Sequence, residues 1–549
     1  MQPSADIFNL PIAYRTNYPV PASMQSDLEL LTTVDATVKP MYEALFRPKT
    51  ILGKRVAHKW GETFTDDAQF LTDSVALVRA TSFPVHDPTD FLESWDRIRD
   101  TEDFTTVFQY IEQKPLLFLN TSPKFLTVMS VYSMTSPVLF LLSPLLIAIA
   151  PYVILKSKNM PVSWSDYKEM LSKLLKSHAI GSLFVNFGSA NMNQRMGMIM
   201  SAIFFGVQLY SNVQACFTFF KNIRYVHLAL KRARDYIGHI LETTKILMLA
   251  APATYREFIA DLTRHQLVLT DFYLKLQAVR AGGVTWTEIY QLGFIRQLFY
   301  QIRTDEALRA AIEYSFGVFG YAENLTELKA ALASKRISAC KFGKETKFTK
   351  AVYAPSPSNR PNSYALKNYA ITGPNASGKT TFIKMTMLNV LFSQQVGMGF
   401  YRRATICPYQ NLCCYLNIPD TSGRDSLFQA EARRCKEIID AIGDTRMLCI
   451  FDELFSGTNP AEASASAYAF LKYLETKPQC TFLLTTHFLD VCQKIDPTIT
   501  NMHMETETHE GKLLYKYKFS KGISRVQGGV RVLEDLGYPD SILACAKAC

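Results

Sequence analysis

The residues able to do chemistry lie in three short stretches toward the C-terminal end of a 549-residue chain. In ITGPNASGKTTF, residues 371–382, Gly373 is followed after four residues by Gly378, Lys379 and Thr380. This is the spacing of a phosphate-binding loop, in which glycines let backbone N–H groups close around phosphates. A lysine then reaches the β and γ phosphates, and a hydroxyl ligates magnesium. The expected nucleotide site is Gly373, Pro374, Asn375, Ala376, Ser377, Gly378, Lys379, Thr380 and Thr381, with ATP and Mg2+ as cofactors. In LCIFDE, residues 448–453, an apolar run closes on two carboxylates. Asp452, with Thr380, can hold the magnesium shell, and Glu453 can orient or deprotonate an attacking water. In TFLLTTH, residues 481–487, a third apolar run delivers His487, whose imidazole can contact a γ phosphate.

These groups need a scaffold that brings them to one edge. The apolar run Tyr364 to Ile371 reads as a strand, and TTFIKMTMLNVLF repeats its apolar residues at helical spacing. Strand, loop and helix in that order place the phosphates at a helix N-terminus. The runs ending at Asp452 and His487 read as further buried strands of the same sheet.

Upstream, the character of the chain changes. Lys plus Arg against Asp plus Glu number 11 against 17 over residues 1–120, 28 against 14 over 121–360, and 20 against 18 over 361–549, so the +10 charge resides in the middle. Such basicity suits nucleic-acid phosphates, anionic lipid headgroups or a solvated helical surface. The same middle holds two uncharged stretches, Phe125–Leu155 of 31 residues and Met196–Phe220 of 25. Each is long enough for a helix that crosses a hydrocarbon layer of ~30 Å. Pro137, Pro144 and Pro151 recur every seven residues in the first, near one helix face. Together the stretches predict a transmembrane hairpin, with an amphipathic helix in SWSDYKEMLSKLLKSHAIGSLF between them. The alternative is that both are buried core. Residues 222–281 predict long helices broken at Pro252, TEIYQLGFIRQLFYQI and DEALRAAIEYSF predict more, and KRISACKFGKETKFTKAVYAPSPSNRPNS predicts a joint. At 48% hydrophobic the chain is neither disordered nor fibrous, and its eleven cysteines include no Cys-x-x-Cys pair, which suggests neither a zinc site nor a disulfide framework. The expectation is a reducing compartment and no signal peptide.

TGPNASGKTT, FDELFSGTNPAEASASA and TTHFLDV resemble the motifs of the MutS family of mismatch-repair ATPases, within the wider ABC-type ATPases. SGRDSLFQAEARRCKEI resembles that family's SxFxxE signature, and YKYKFSKGISRVQGGVRVLEDLGYPDSIL resembles its closing strand and small helices. The resemblance implies that Ser426 acts in trans, reaching a γ phosphate bound by the other subunit of a homodimer. A weaker likeness, from LLTTVDATVKP to TFTDDAQFL, resembles the start of the family's helical core. Phe91-Leu92-Glu93 has the family's mismatch-wedge tripeptide without its surrounding sequence, so it is not expected to act as one.

The expected fold is an α/β P-loop ATPase domain of ABC/MutS type at the C-terminus, preceded by an all-α core and lever domain with a two-helix transmembrane hairpin. The segments are 1–24, a tail; 25–123, the first part of the helical core; 124–221, the hairpin with its amphipathic loop; 222–345, the lever and second part of the core; and 346–549, the ATPase domain with dimerisation helices. Two functions of different class follow: a dimeric ATPase anchored in a bilayer with its ATPase domain facing the cytosol, or a soluble cytoplasmic or nuclear ATPase that grips DNA through phosphate contacts. A transporter-like ABC ATPase is disfavoured, because two spans per chain make a poor solute pathway.

Overall fold

The computed structural model describes residues 7–35, 37–158, 163–177, 187–188, 190–279, 289–355, 360–416, 426–509, 512–524, 526, 533–534 and 536–548. The chain forms two compact units, one from Met1–Val85, Ile240–Gln266 and Glu313–Cys549, the other from His86–His239 and Leu267–Ile312.

The first unit is organised by a six-stranded sheet of β1 (Tyr369–Thr372), β2 (Asn411–Tyr415), β3 (Met447–Asp452), β4 (Cys480–Thr485), β5 (Thr500–His509) and β6 (Lys512–Lys521), in the order β2-β3-β4-β1-β5-β6. The first five are parallel and β6 closes an antiparallel hairpin on β5. Interior parallel strands are covered on both faces, which is why β1, β3 and β4 are nearly continuous apolar runs. Leu448, Cys449, Ile450 and Phe451 of β3 are all fully buried. Register pairs Asp452 with Thr485 and Leu484 with Ala370, so β3, β4 and β1 end side by side.

The run Tyr364–Ile371 is not one strand. Asn362–Ala365 pairs in a separate four-stranded sheet with Lys347–Ala351, which also includes Lys341–Phe342 and Arg403–Ile406. The polar residues Lys367 and Asn368 mark the crossing, and Asn368 is used there: its side-chain oxygen accepts from Phe482 N at 3.1 Å and its carbonyl from Thr500 N at 2.9 Å. Parts of the expected joint, Ser338–Ala339, Lys341–Phe342 and Lys347–Ala351, are likewise strand. The expected tail also contributes to the core, beginning with Phe8. Phe8, Ile12 and Met24 are buried, and the Phe8 ring meets Tyr314 edge-on at 5.3 Å and Phe258 at 6.1 Å. Gly317 makes room for it, since a Cβ there would lie 2.1 Å from Phe8 Cγ. The apolar residues of IFNLPIAY have a surface to cover, which a local reading cannot see.

The second unit is helical. Arg296, on the helix Leu292–Thr304, is buried; it donates to Ser130 Oγ at 3.1 Å and to the carbonyls of Phe108 at 3.2 Å and Gln109 at 2.5 Å. Phe91 is buried and stacks on Tyr236 at 4.5 Å, a packing role that leaves no exposed wedge.

The expected first span divides into two helices, Pro123–Leu141 and Ser143–Ser157. Pro144 starts the second, where a missing N–H costs nothing, rather than continuing the first. The prolines therefore do not share one helix face. At 1.5 Å per residue the helices measure about 28 and 22 Å, so only the first approaches a bilayer's thickness. Among the described residues, two helices are long and apolar enough to cross a membrane, Pro123–Leu141 and Met192–Ala250. The most apolar window of each is 11% and 0% buried, so neither packs as protein core. Val128, Val138 and Leu141 on the one and Met200, Ile203 and Phe204 on the other are exposed. Between them the amphipathic helix spans Trp164–Ser177, and the rest of its expected length lies outside the described residues.

The helix Met192–Ala250 runs for 59 residues, about 88 Å, joining the second apolar stretch to the expected lever without a break. Pro252 ends it, as expected, before Arg256–Gln277. The expected helix end at residues 281–283 lies outside the described residues.

Candidate functional site

Three neighbouring strands deliver the candidate residues to one edge of the sheet. The phosphate loop leaves β1 and enters the helix Lys379–Val396. Asp452 ends β3 and Glu453 opens the turn after it, while His487 follows β4 by two residues. Ligands of open parallel sheets bind at this carboxyl edge. The loop's backbone is the kind glycine supplies, with φ of 152° at Gly373 and 94° at Gly378. Space is as tight as conformation: a Cβ on Gly373 would sit 2.8 Å from Ser377 Oγ, and one on Gly378 3.0 Å from the Tyr517 ring. Ala376 is left-handed as well, at φ 64°, a strained position for a residue with a Cβ.

The side chains converge. Thr380 Oγ1 donates to Asp452 Oδ2 at 2.8 Å, which places the hydroxyl and the carboxylate of the expected magnesium shell together. The other carboxylate oxygen of Asp452 accepts from Thr485 Oγ1. Lys379 is buried; its ammonium donates to the carbonyls of Gly373 at 3.0 Å and Pro374 at 3.4 Å and lies 3.2 Å from His487 Nε2. His487 Nε2 is in turn 2.9 Å from Glu453 Oε1. Burial lowers the pKa of Lys379, with Glu453 and Asp452 opposing the shift. The hydrogen bond from His487 holds the Glu453 carboxyl below its usual range, aided by the charges of His487 and Lys379 against burial. Glu453 thus stays a carboxylate, the form that accepts a proton.

The residues present fit a magnesium nucleotide. The Ser377 hydroxyl is fully buried in the loop and has no hydrogen-bond partner among the described residues. The helix Lys379–Val396 adds its N-terminal N–H groups beside it, donors of the kind that cradle phosphate. Asn375, Ala376 and Thr381 are exposed around it, and Pro374 is buried.

Ser426 stands apart from this cluster. It caps the helix Leu427–Asp440, accepting from Gln429 N at 3.3 Å while Gln429 Oε1 accepts from Ser426 N at 3.0 Å. Among the described residues no hydrogen bond ties it to Lys379, Asp452, Glu453 or His487.

Two site residues escaped the sequence reading. Thr485 orients Asp452, and its only signal was its place in TTH. Glu431, the acid of the SxFxxE-like segment, is buried and binds the turn after Glu453. Its Oε1 accepts from Ser456 N at 3.1 Å and Ser456 Oγ at 2.8 Å, and its Oε2 from Gly457 N at 3.2 Å. That turn is strained, with φ of 53° at Glu453 and 58° at Phe455.

Fold and site together define a P-loop nucleotide-binding domain. Residues 369–549 match the family model for MutS domain V. The chain is 32% identical over 190 residues to MutS protein homolog 4 of Homo sapiens, covering 32% of this chain and 20% of the relative. It is 28% identical over 229 residues to a DNA mismatch repair protein MutS of Bacillus cytotoxicus, covering 40% and 25%. With a DNA mismatch repair protein MSH3 of Scheffersomyces stipitis it shares 30% identity over 197 residues, covering 33% and 19%. The segment from residue 369 to the C-terminus is thus similar to domain V of MutS proteins. The matched segment spans about a fifth to a quarter of the length of these curated relatives.

Proposed function

We propose that the chain is a MutS-type ATPase that works as a homodimer, is anchored in a membrane with its ATPase domain facing the cytosol, and passes its nucleotide state along its long helices. The convergence of Lys379, Thr380, Asp452, Glu453 and His487 at one sheet edge carries the enzymatic part. Lys379 and the loop N–H groups bind the ATP phosphates, and Thr380 and Asp452 hold the magnesium, which supplies charge neutralisation when bound. Glu453 orients water and takes its proton; His487 fixes the carboxylate. In this reading Ser426 acts on the nucleotide of the facing subunit.

Exposure of the apolar windows supports the membrane part, since uncovered apolar surface costs about 25 cal/mol per Å² in water. The uninterrupted helix Met192–Ala250 supports coupling between the apolar stretch and the lever.

Lys379→Ala is expected to abolish ATP binding, and Glu453→Gln to retain binding while stalling turnover. Normal hydrolysis by Glu453→Gln refutes the assigned base. Resistance of the expressed chain to alkaline carbonate extraction is expected, and release into the soluble fraction removes the anchor.

A second reading, in which the chain grips DNA through phosphate contacts, is supported by the names of its relatives, which are DNA mismatch repair proteins. It predicts binding that falls steeply with salt, with a log–log slope of about 0.9 per phosphate neutralised and little mismatch preference. A preference of about tenfold or more for mismatched over matched duplex contradicts it.

A further inference from the structure

Within the first unit, away from the phosphate loop, lies a cleft of about 1360 Å³ whose charged lining is predominantly cationic. Lys39, Arg47, Lys335, Arg336, Lys350 and Arg402 line it, with Glu43 as the only lining carboxylate among the described residues. Glu43 is engaged elsewhere, 2.8 Å from the Lys54 ammonium. Among the described residues, no ion pair is found for Lys39, Arg47, Lys335, Lys350 or Arg402.

The arrangement is built. Arg336 is partly buried, its guanidinium fixed by donation to the carbonyls of Ala44 at 2.6 Å and Leu45 at 2.8 Å. Burial pushes its pKa down to about 10, and the neighbouring charge of Arg47 pushes the same way, against Glu327. Arg47 and Arg336 thus line one concavity, near enough for their charges to repel, and its one lining carboxylate among the described residues is engaged by Lys54. Such repulsion is relieved by an anion that touches both. Helix ends account for part of the charge, since Arg47 caps the helix Met41–Phe46 and Lys335 follows Glu306–Ala333, where cations complement the helix dipole. They do not account for Lys39, Lys350 and Arg402, which come from loop and strand segments far apart in the chain.

We propose that this cleft binds a small ligand carrying two or more phosphates. Cations converging from five segments onto one concavity suit a compact polyanion. A nucleic-acid groove instead tracks a backbone with a linear stripe and offers aromatic faces for stacking. The two aromatic residues of the cleft, Phe400 and Tyr401, are buried at 5% and 4% exposure and present no such face. Polyphosphate in free form and the headgroup of a multiply phosphorylated lipid share this chemistry.

The test is calorimetric titration of the full chain in detergent, at about 0.1 M salt, with inositol hexakisphosphate and with tripolyphosphate. Saturable binding of inositol hexakisphosphate is expected, weakened at least about tenfold in Arg47→Glu/Arg402→Glu and retained in Lys379→Ala, in which the phosphate loop is disabled. Thermal melting checks that the variants fold, and Lys335→Gln/Lys350→Gln, a milder change, is expected to weaken binding as well. Tighter binding of a short-chain phosphatidylinositol bisphosphate than of free inositol trisphosphate assigns the site to a lipid headgroup, and equal binding assigns it to the free ligand. The proposal is overturned by absence of saturable binding, by undiminished binding in both double variants, or by loss of binding in Lys379→Ala. Stronger displacement by DNA than by tripolyphosphate at equal phosphate overturns it too, in favour of a nucleic-acid groove.

Discussion

Glu431 offers the sharpest test of how the catalytic edge is held. Its carboxylate is 2% exposed and accepts three hydrogen bonds from Ser456 and Gly457, three and four residues beyond Glu453. Hydrogen bonds to a charged group are worth about 1.5–3 kcal/mol each, and bonds sharing one acceptor do not add fully. Glu431→Ala should therefore cost about 2–4 kcal/mol, because two backbone N–H groups and a hydroxyl of a partly exposed turn lose a charged acceptor that water replaces only in part. Glu431→Gln keeps one acceptor oxygen but turns an NH2 group toward a donor, for a cost of about 1.5–3 kcal/mol. The catalytic consequence follows from the strain in the same turn. Glu453 and Phe455 both hold left-handed backbone, at about 1–3 kcal/mol each, and persist there because the turn is tied down. Once released, the turn relaxes and Glu453 shifts from His487, while the phosphate loop on β1 is untouched. The assay pairs urea unfolding with steady-state ATP hydrolysis and equilibrium nucleotide binding. The expected pattern is kcat lowered about tenfold or more, roughly 1.4 kcal/mol, with nucleotide Kd changed less than about threefold, under roughly 0.7 kcal/mol. A Glu431→Ala protein within about 1 kcal/mol of the parent, or one whose kcat and affinity fall together, refutes the reasoning.

Mixing a Ser426-defective chain with a Lys379-defective chain should leave at most one working site per pair, whereas full activity from a strict monomer contradicts the trans role. Gly317→Ala should destabilise despite helix propensity, because the new Cβ would lie 2.1 Å from the root of the Phe8 ring. Overpacking costs about 1–3 kcal/mol, with so close an approach at the upper end, against a propensity gain of at most ~1, and an unchanged unfolding midpoint would contradict it. Asp27 gives a pH signature: burial raises its carboxyl to about 6 from 3.8, with Arg434 opposing. The unfolded chain loses that proton first as pH rises, so stability falls between about pH 4 and pH 6 and stays lowered above. Asp27→Asn should therefore stabilise the protein by up to about 3 kcal/mol at neutral pH and by nothing below about pH 4; a pH-independent difference refutes the assignment.

The chemistry was legible in the sequence because phosphate binding makes local demands. A loop that closes on phosphates needs Gly373 and Gly378 at fixed spacing, and parallel strands buried on both faces need unbroken apolar runs, so LCIFDE and TFLLTTH could be read as strands with their polar ends at the site. The pairing of Thr380 with Asp452 and of His487 with Glu453 followed from those strands lying side by side. Long helices around Pro252 were equally plain, since proline and apolar period are local signals. What tertiary structure alone decided were the places where a residue's partner is distant in the chain. Phe8 became core because Gly317 leaves a hollow for its ring, more than 300 residues away. Glu431 became the clasp of the Glu453 turn because the helix it sits on packs on β2, the strand that neighbours β3. The apolar middle divided at Pro144 and kept its faces exposed because no other part of the chain covers them among the described residues, and hydropathy, which records a side chain's preference, does not say what lies next to it.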